Sequence, residues 1–173
     1  MQFHEWLNLN ESNINQLYDS TVRAYPRTTK RQHSVDEINV LGVSWVPYKG
    51  MKTLFIKGSV VNDYKRTEYN PMILFKNVKY HDDDMPFMNH LVTNEGQSYF
   101  FEKFNNTNHV LVRCNCKDFQ YRFKYENHLN KSLYGHKGKK YIGQGLWEAN
   151  PLHLEGMCKH IIKLSKTLEN FFE

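Results

Sequence analysis

Cysteine, proline and glycine are all scarce, at three, five and nine among 173 residues. Three thiols make an odd number, which argues against a disulfide framework. Chains this poor in proline and glycine are neither collagen-like nor low-complexity. No apolar run approaches the ~20 residues that a helical membrane span requires. Residues 1–10 also lack the basic start and apolar stretch of a secretory signal. The expectation is a soluble protein kept in the cytoplasm. Missing too are GxSxG, Walker-type and HExxH patterns, so nothing supplies an activated nucleophile, a phosphate cradle or an open metal site. No catalysis and no small-molecule substrate are expected.

The chain is long enough to bury a real core. Its hydrophobic fraction of 40% is modest and its aromatic fraction of 14% is high, which predicts a core built largely from Phe, Tyr and Trp. The net charge of +5 is unevenly placed. Residues 1–100 hold eleven basic and eleven acidic side chains, whereas residues 101–173 hold twelve and seven. Within residues 113–140 eight basic residues face only Asp118 and Glu126. A field of that sign attracts phosphates or an acidic partner, although a solvated surface with a modest positive bias explains it equally well.

The periodicity predicts an α+β protein. A short amphipathic helix spans residues 10–24, with Asn10 or Ser12 as cap and Pro26 as stop. A polar loop follows to residue 38. Runs rich in Val, Ile, Phe and Tyr at 38–46, 53–61, 72–80, 98–104 and 109–116 read as strands. Turn-forming stretches separate them, and the short connections favour an antiparallel meander. Asp118 can cap a helix running to about Asn130, with Phe119 and Phe123 on one face. Residues 134–156 read as a long loop that holds five of the nine glycines. Loops of that length are uncommon unless they are functional or pinned. A final helix at 158–172 carries Ile161, Leu164 and Leu168 on one stripe. The chain divides at residue 107 into a helix-and-sheet region (1–107) and a metal-binding region (108–173), expected as one continuous fold.

All three cysteines fall in two short clusters, Cys114-x-Cys116 and Cys158-x-His160. In a reducing compartment such clustering reads as metal binding before cross-linking. Zinc takes thiolate and imidazole ligands in a tetrahedron, and four protein ligands make a structural site. A Cys-x-Cys pair at a strand end can present both sulfurs to one side, because i and i+2 share a face. Residues i and i+2 of a helix do not, so Cys158 must sit just outside the helix start, with Gly156 giving the backbone freedom to enter it. The ion would close a loop of roughly forty residues. Structural zinc contributes an apparent ~10–16 kcal/mol in small modules, so this half is expected to depend on it for folding. Buried core thiols with a surface His160 are the bland alternative. A substitute fourth ligand also stays open, from His153, His136, His109 or His128.

The order Cys-x-Cys, long spacer, Cys-x-His resembles the SWIM zinc finger over about residues 108–170, with Cys114, Cys116, Cys158 and His160 at its four motif positions. The spacer is longer than in many SWIM domains. The resemblance implies a ββα arrangement around one structural Zn2+ ion, and a role in DNA binding or protein–protein contact. The stretches Val112-Arg-Cys-Asn-Cys-Lys-Asp-Phe and Gly156-Met-Cys-Lys-His-Ile-Ile are also similar to small SWIM-bearing proteins of tailed bacteriophages. The run Ala24-Tyr-Pro-Arg-Thr-Thr-Lys-Arg adds to that likeness. This implies a virion structural component with protein partners, located in the host cytoplasm and the particle.

Two other signals carry less. His81-Asp-Asp-Asp84 lacks the spaced ligands of a calcium loop and reads as an acidic turn. Aromatic and basic residues interleave over 119–125, and they suit base stacking or a helix core equally. Candidate nucleic-acid contacts are Lys117, Arg122, Lys124, Lys137, Lys139 and Lys140. The leading expectation is a non-enzymatic, zinc-stabilised interaction or assembly protein. The alternatives are a DNA- or RNA-binding protein using residues 113–140 and, third, a zinc enzyme with a displaced ligand.

Overall fold

The computed structural model describes residues 11–26, 34–140 and 149–172. The candidate cap Asn10, the polar stretch 27–33 and residues 141–148 of the long loop lie outside the described residues. The architecture is α+β, with helices at both ends of the chain and antiparallel sheets between them.

Helix α1 is Ile14–Ala24. Its cap is Asn13, one residue beyond the expected Ser12. The Asn13 side chain accepts from the Gln16 amide, and the Gln16 side chain accepts from the Asn13 amide, both at 2.9 Å. This reciprocal pairing satisfies two amides that helix geometry leaves without partners, which Ser12 alone could not do.

The strands are β1 Ile38–Tyr48, β2 Thr53–Asn62, β3 Lys65–Tyr69, β4 Met72–Phe75, β5 Tyr80–His81, β6 Asn89–Val92, β7 Ser98–Phe101 and β8 Val110–Arg113. They form two sheets instead of one continuous meander. In the larger sheet one edge of β2 pairs with β1. Its other edge pairs with β4 through residues 54–57 and with β3 through residues 60–62. The chain returns to this sheet with β8, antiparallel to β4. Between those two strands it builds the smaller sheet, ordered β5-β7-β6. The split falls inside the predicted strand 72–80. Asn77 there adopts a left-handed conformation, φ 57°, that breaks the strand and redirects it.

β3 and β6 fall in stretches that read as turns, for an identifiable reason. Both are short edge strands, and β3 has the sequence Lys-Arg-Thr-Glu-Tyr, with no apolar alternation to announce it. Charged, short edges are how sheets avoid pairing with other chains.

After β8, residues Phe119–Phe123 form a π-helical turn that runs into helix α2, Lys124–Leu129. Asp118 stands at the start without capping it, because its backbone is already helical and its carboxylate faces Arg122 at 3.3 Å. Helix α3 is Lys159–Phe171. Its predicted stripe of Ile161, Leu164 and Leu168 is buried.

Alternation along β2, β4 and β8 sends Leu54, Ile56, Ile73, Phe75, Val110 and Val112 to one face. There they form one continuous core with Leu17 of α1, Phe119, Phe123 and the stripe of α3. Trp45 of β1 meets Phe171 and Phe172 edge-on at the end of α3. The core is more aliphatic than composition predicts. Among the described residues four phenylalanines are buried, but no tyrosine or tryptophan. Tyrosines stay at the margins because each hydroxyl needs a partner: Tyr80 donates to the Thr53 carbonyl at 2.6 Å and Tyr25 to that of Ala149 at 2.7 Å. No helix among the described residues is long and apolar enough to cross a membrane.

Candidate metal centre

Cys114, Cys116, Cys158 and His160 meet in one buried cluster, with their ligand atoms all within 4.8 Å of one another. Each pair reaches it by a different local device. Strand β8 ends at Arg113, and the chain turns at once towards the π-helical segment, so both sulfurs of the first pair face inward. Cys158 is the N-cap of α3, extended at φ −74° and ψ 165°, as the i, i+2 spacing demands. That puts Cys158 outside the helix and His160 in its first turn, facing a common point.

The imidazole offers Nδ1. This atom lies 3.8 Å from the Cys114 sulfur and 3.9 Å from that of Cys158. Around a tetrahedral ion with metal–sulfur bonds of ~2.3 Å and a metal–nitrogen bond of ~2.0–2.1 Å, neighbouring ligand atoms stand ~3.5–3.8 Å apart. The donor set thus fits one four-coordinate metal ion with little adjustment.

The thiols show what a cation would relieve. Cys114 is held up by its hydrogen bond to Cys116, while Cys116 is held low as the partner of Cys114 and then of Cys158. Burial pushes Cys158 up. The amide of Phe119 also donates to the Cys116 sulfur at 3.3 Å, which favours negative charge there. A divalent cation held by these residues would reverse the balance and let all three ionise.

Asn62 and Tyr69, which the sequence did not single out, complete the site. The Asn62 side-chain oxygen accepts from His160 Nε2 at 3.0 Å, and the Tyr69 ring stacks on the imidazole at 4.3 Å. Both come from the β2–β3 hairpin, about a hundred residues before His160, and no local signal marks them. Gln120 adds a 2.7 Å bond from its amide to the Cys114 carbonyl.

Gly156 serves the site differently from expectation. Its backbone is not in the left-handed region. A Cβ there would lie 2.6 Å from both a Phe123 ring carbon and the Thr21 hydroxyl, so close approach is what requires glycine. The buried Asn127 side chain holds the same residue, accepting from the Gly156 amide at 2.8 Å and donating to its carbonyl at 3.0 Å. Thr21 of α1 accepts from the Met157 amide at 2.9 Å. The N-terminal helix therefore helps aim Cys158.

The other candidate histidines lie outside the cluster. His153 pairs with Glu126 at 3.1 Å and His109 with Glu11 at 2.8 Å. His136 is exposed and His128 half-buried, both outside the cluster. Asp82 of the acidic turn is exposed and paired with Lys49.

Neither a protein-family model, nor a curated protein, nor a solved structure matches this chain. Function is therefore read from the geometry of its own residues.

Among the candidate phosphate contacts, Lys117, Lys137, Lys139 and Lys140 are exposed and Lys124 is half-buried. Arg122 is engaged internally, with Asp118 and over the Tyr25 ring at 5.1 Å. Phe119 and Phe123 are core residues, so they cannot stack on bases. Arg113 clamps the start of the long loop, donating to the carbonyls of Tyr134 and His136, both at 2.5 Å.

Proposed function

We propose that this chain is a non-enzymatic binding module whose fold is completed by one structural Zn2+ ion. The observation that carries this reading is the closed donor set, in which three sulfurs and one imidazole nitrogen are all buried. Thiolates with imidazole in a tetrahedral arrangement suit zinc, and catalytic zinc keeps an open position that this set does not provide. The ion's work is to hold the end of β8 against the start of α3. Metal analysis of the purified chain should return one zinc per chain. A cobalt-substituted sample should give the intense visible bands of a tetrahedral thiolate site; a five-coordinate spectrum with exchangeable water would sink the structural reading.

Resemblance to the SWIM-type finger supports partner binding as the role. The likeness to tailed-phage proteins supports assembly with other proteins in a virion. Mass spectrometry of intact particles should then detect the chain, and its absence from them removes the virion part.

A second reading, nucleic-acid binding, is favoured by the exposure of Lys137, Lys139 and Lys140 in a segment free of carboxylates. Affinity for oligonucleotides should then fall steeply with salt.

A further inference from the structure

Among the described residues, the helices pack on one face of the larger sheet. The cross-strand register lays an apolar row over its other face: Val46 opposes Phe55, Phe55 opposes Leu74, and Leu74 opposes Leu111. Phe55, Leu74 and Leu111 are half-buried and Val46 is 49% exposed. Tyr134 stacks on Phe55 with ring centroids 5.1 Å apart. At the β1 end of the face Tyr48 is 60% exposed.

The next row is cationic. Ser44 opposes Lys57, Lys57 opposes Met72, and Met72 opposes Arg113. Lys57 is exposed. Arg113 gives its hydrogen bonds to the carbonyls of Tyr134 and His136, which sets the tyrosine on the sheet and brings Lys137 to its border. Lys139 and Lys140 follow, exposed, beyond Gly138, which packs against the backbone of Lys124 and Tyr125. Glu68 and Glu11, at opposite ends of the face, are engaged, the first with Ser59 and the second with Lys76 and His109.

We propose that this sheet face is a stacking platform for single-stranded nucleic acid, with Tyr48 and the Phe55–Tyr134 pair meeting bases and Lys57, Lys137, Lys139 and Lys140 meeting phosphates. It rests on the nucleic-acid reading of the basic segment and moves the base contacts from the helix, where the aromatics are core, to the sheet. Aromatic rings on an antiparallel sheet accept any base by stacking, and a cationic border follows the backbone. A duplex hides its base faces and gains only the lysine contacts. A protein partner would use the apolar row but would leave four lysines without a polyanion.

The test is fluorescence anisotropy on the full metal-loaded chain, with labelled oligothymidine and oligouridine of about twelve nucleotides and a duplex of the same length. Single strands should bind at least about tenfold more tightly than the duplex. Tyr48→Ala and Tyr134→Ala should each weaken single-strand binding by about tenfold, with Tyr134→Phe restoring it. Replacing Lys137, Lys139 and Lys140 by Gln should flatten the dependence on salt between roughly 50 and 200 mM. Because Tyr48 is exposed, its variant keeps the test open if Tyr134→Ala fails to fold. Equal binding of duplex and single strand, untouched by the tyrosine variants but lost with the lysines, overturns the platform and leaves the nucleic-acid reading standing. No binding of any oligonucleotide at low salt overturns both and favours a protein on the apolar row.

Discussion

His160 turns Nδ1 to the cysteine sulfurs because its Nε2 lies 3.0 Å from the side-chain oxygen of Asn62. The amide oxygen can only accept, so Nε2 carries the proton and Nδ1 keeps its lone pair for a metal. A residue of the sheet thereby selects the tautomer of a ligand on the last helix.

Asn62→Leu removes that acceptor while keeping the branched outline of the side chain. Metal affinity should fall by about ten- to a hundredfold, the usual effect of losing an outer-shell partner. Competition with a chromophoric chelator measures it, and an unchanged affinity would deny Asn62 any role in the site.

On the proposed structural-metal reading, Cys158→Ser, or treatment with a chelator, should loosen the segments that the ion would join. Amides of α3 and of residues 132–140 should exchange faster, while the β1–β2 pairs keep their protection. Hydrogen exchange in which the sheet opens first would contradict this order.

Gly156→Ala should destabilise the fold by about 1–3 kcal/mol, the usual range for forcing extra volume into a packed interior. The added methyl meets Phe123 and Thr21 at 2.6 Å. Gly42→Ala in β1 is the matched control, since nothing lies within 4 Å of its Cβ position. Denaturant unfolding of the two variants should separate them clearly.

Glu11 is held below the usual carboxylate range, chiefly by Lys76 and then by His109, against the opposing effect of burial. The folded state thus binds the proton less readily than the unfolded state. The resulting stabilisation is present above the ordinary carboxylate pKa and is lost as pH falls through the lowered folded value. Glu11→Gln should flatten the acid limb of a stability-versus-pH curve, and an acid limb as steep as that of the parent would contradict it.

How much of this was legible beforehand depends on the range over which each feature is determined. The helices and the longer strands follow from local periodicity, and Pro26 and the stripe of α3 mark their places without help. The edge strands β3 and β6 do not, because their pairing partners, and not their own side chains, make them strands. Asn13 displaced Ser12 as cap because only Asn13 has Gln16 three residues on.

By itself the sequence determined the three sulfur donors, in two clusters, and an extended Cys158 dictated by an i, i+2 spacing that no helix can serve. The tertiary structure alone decided that His160, and no other described histidine, joins the sulfurs, and that Nδ1 is the atom presented. It also decided that Gly156 is there for want of space. Those outcomes depend on Asn62, Tyr69, Thr21 and Phe123, which lie far from the motif in sequence and act through packing and hydrogen bonds that exist only once the sheet and helices have closed on one another.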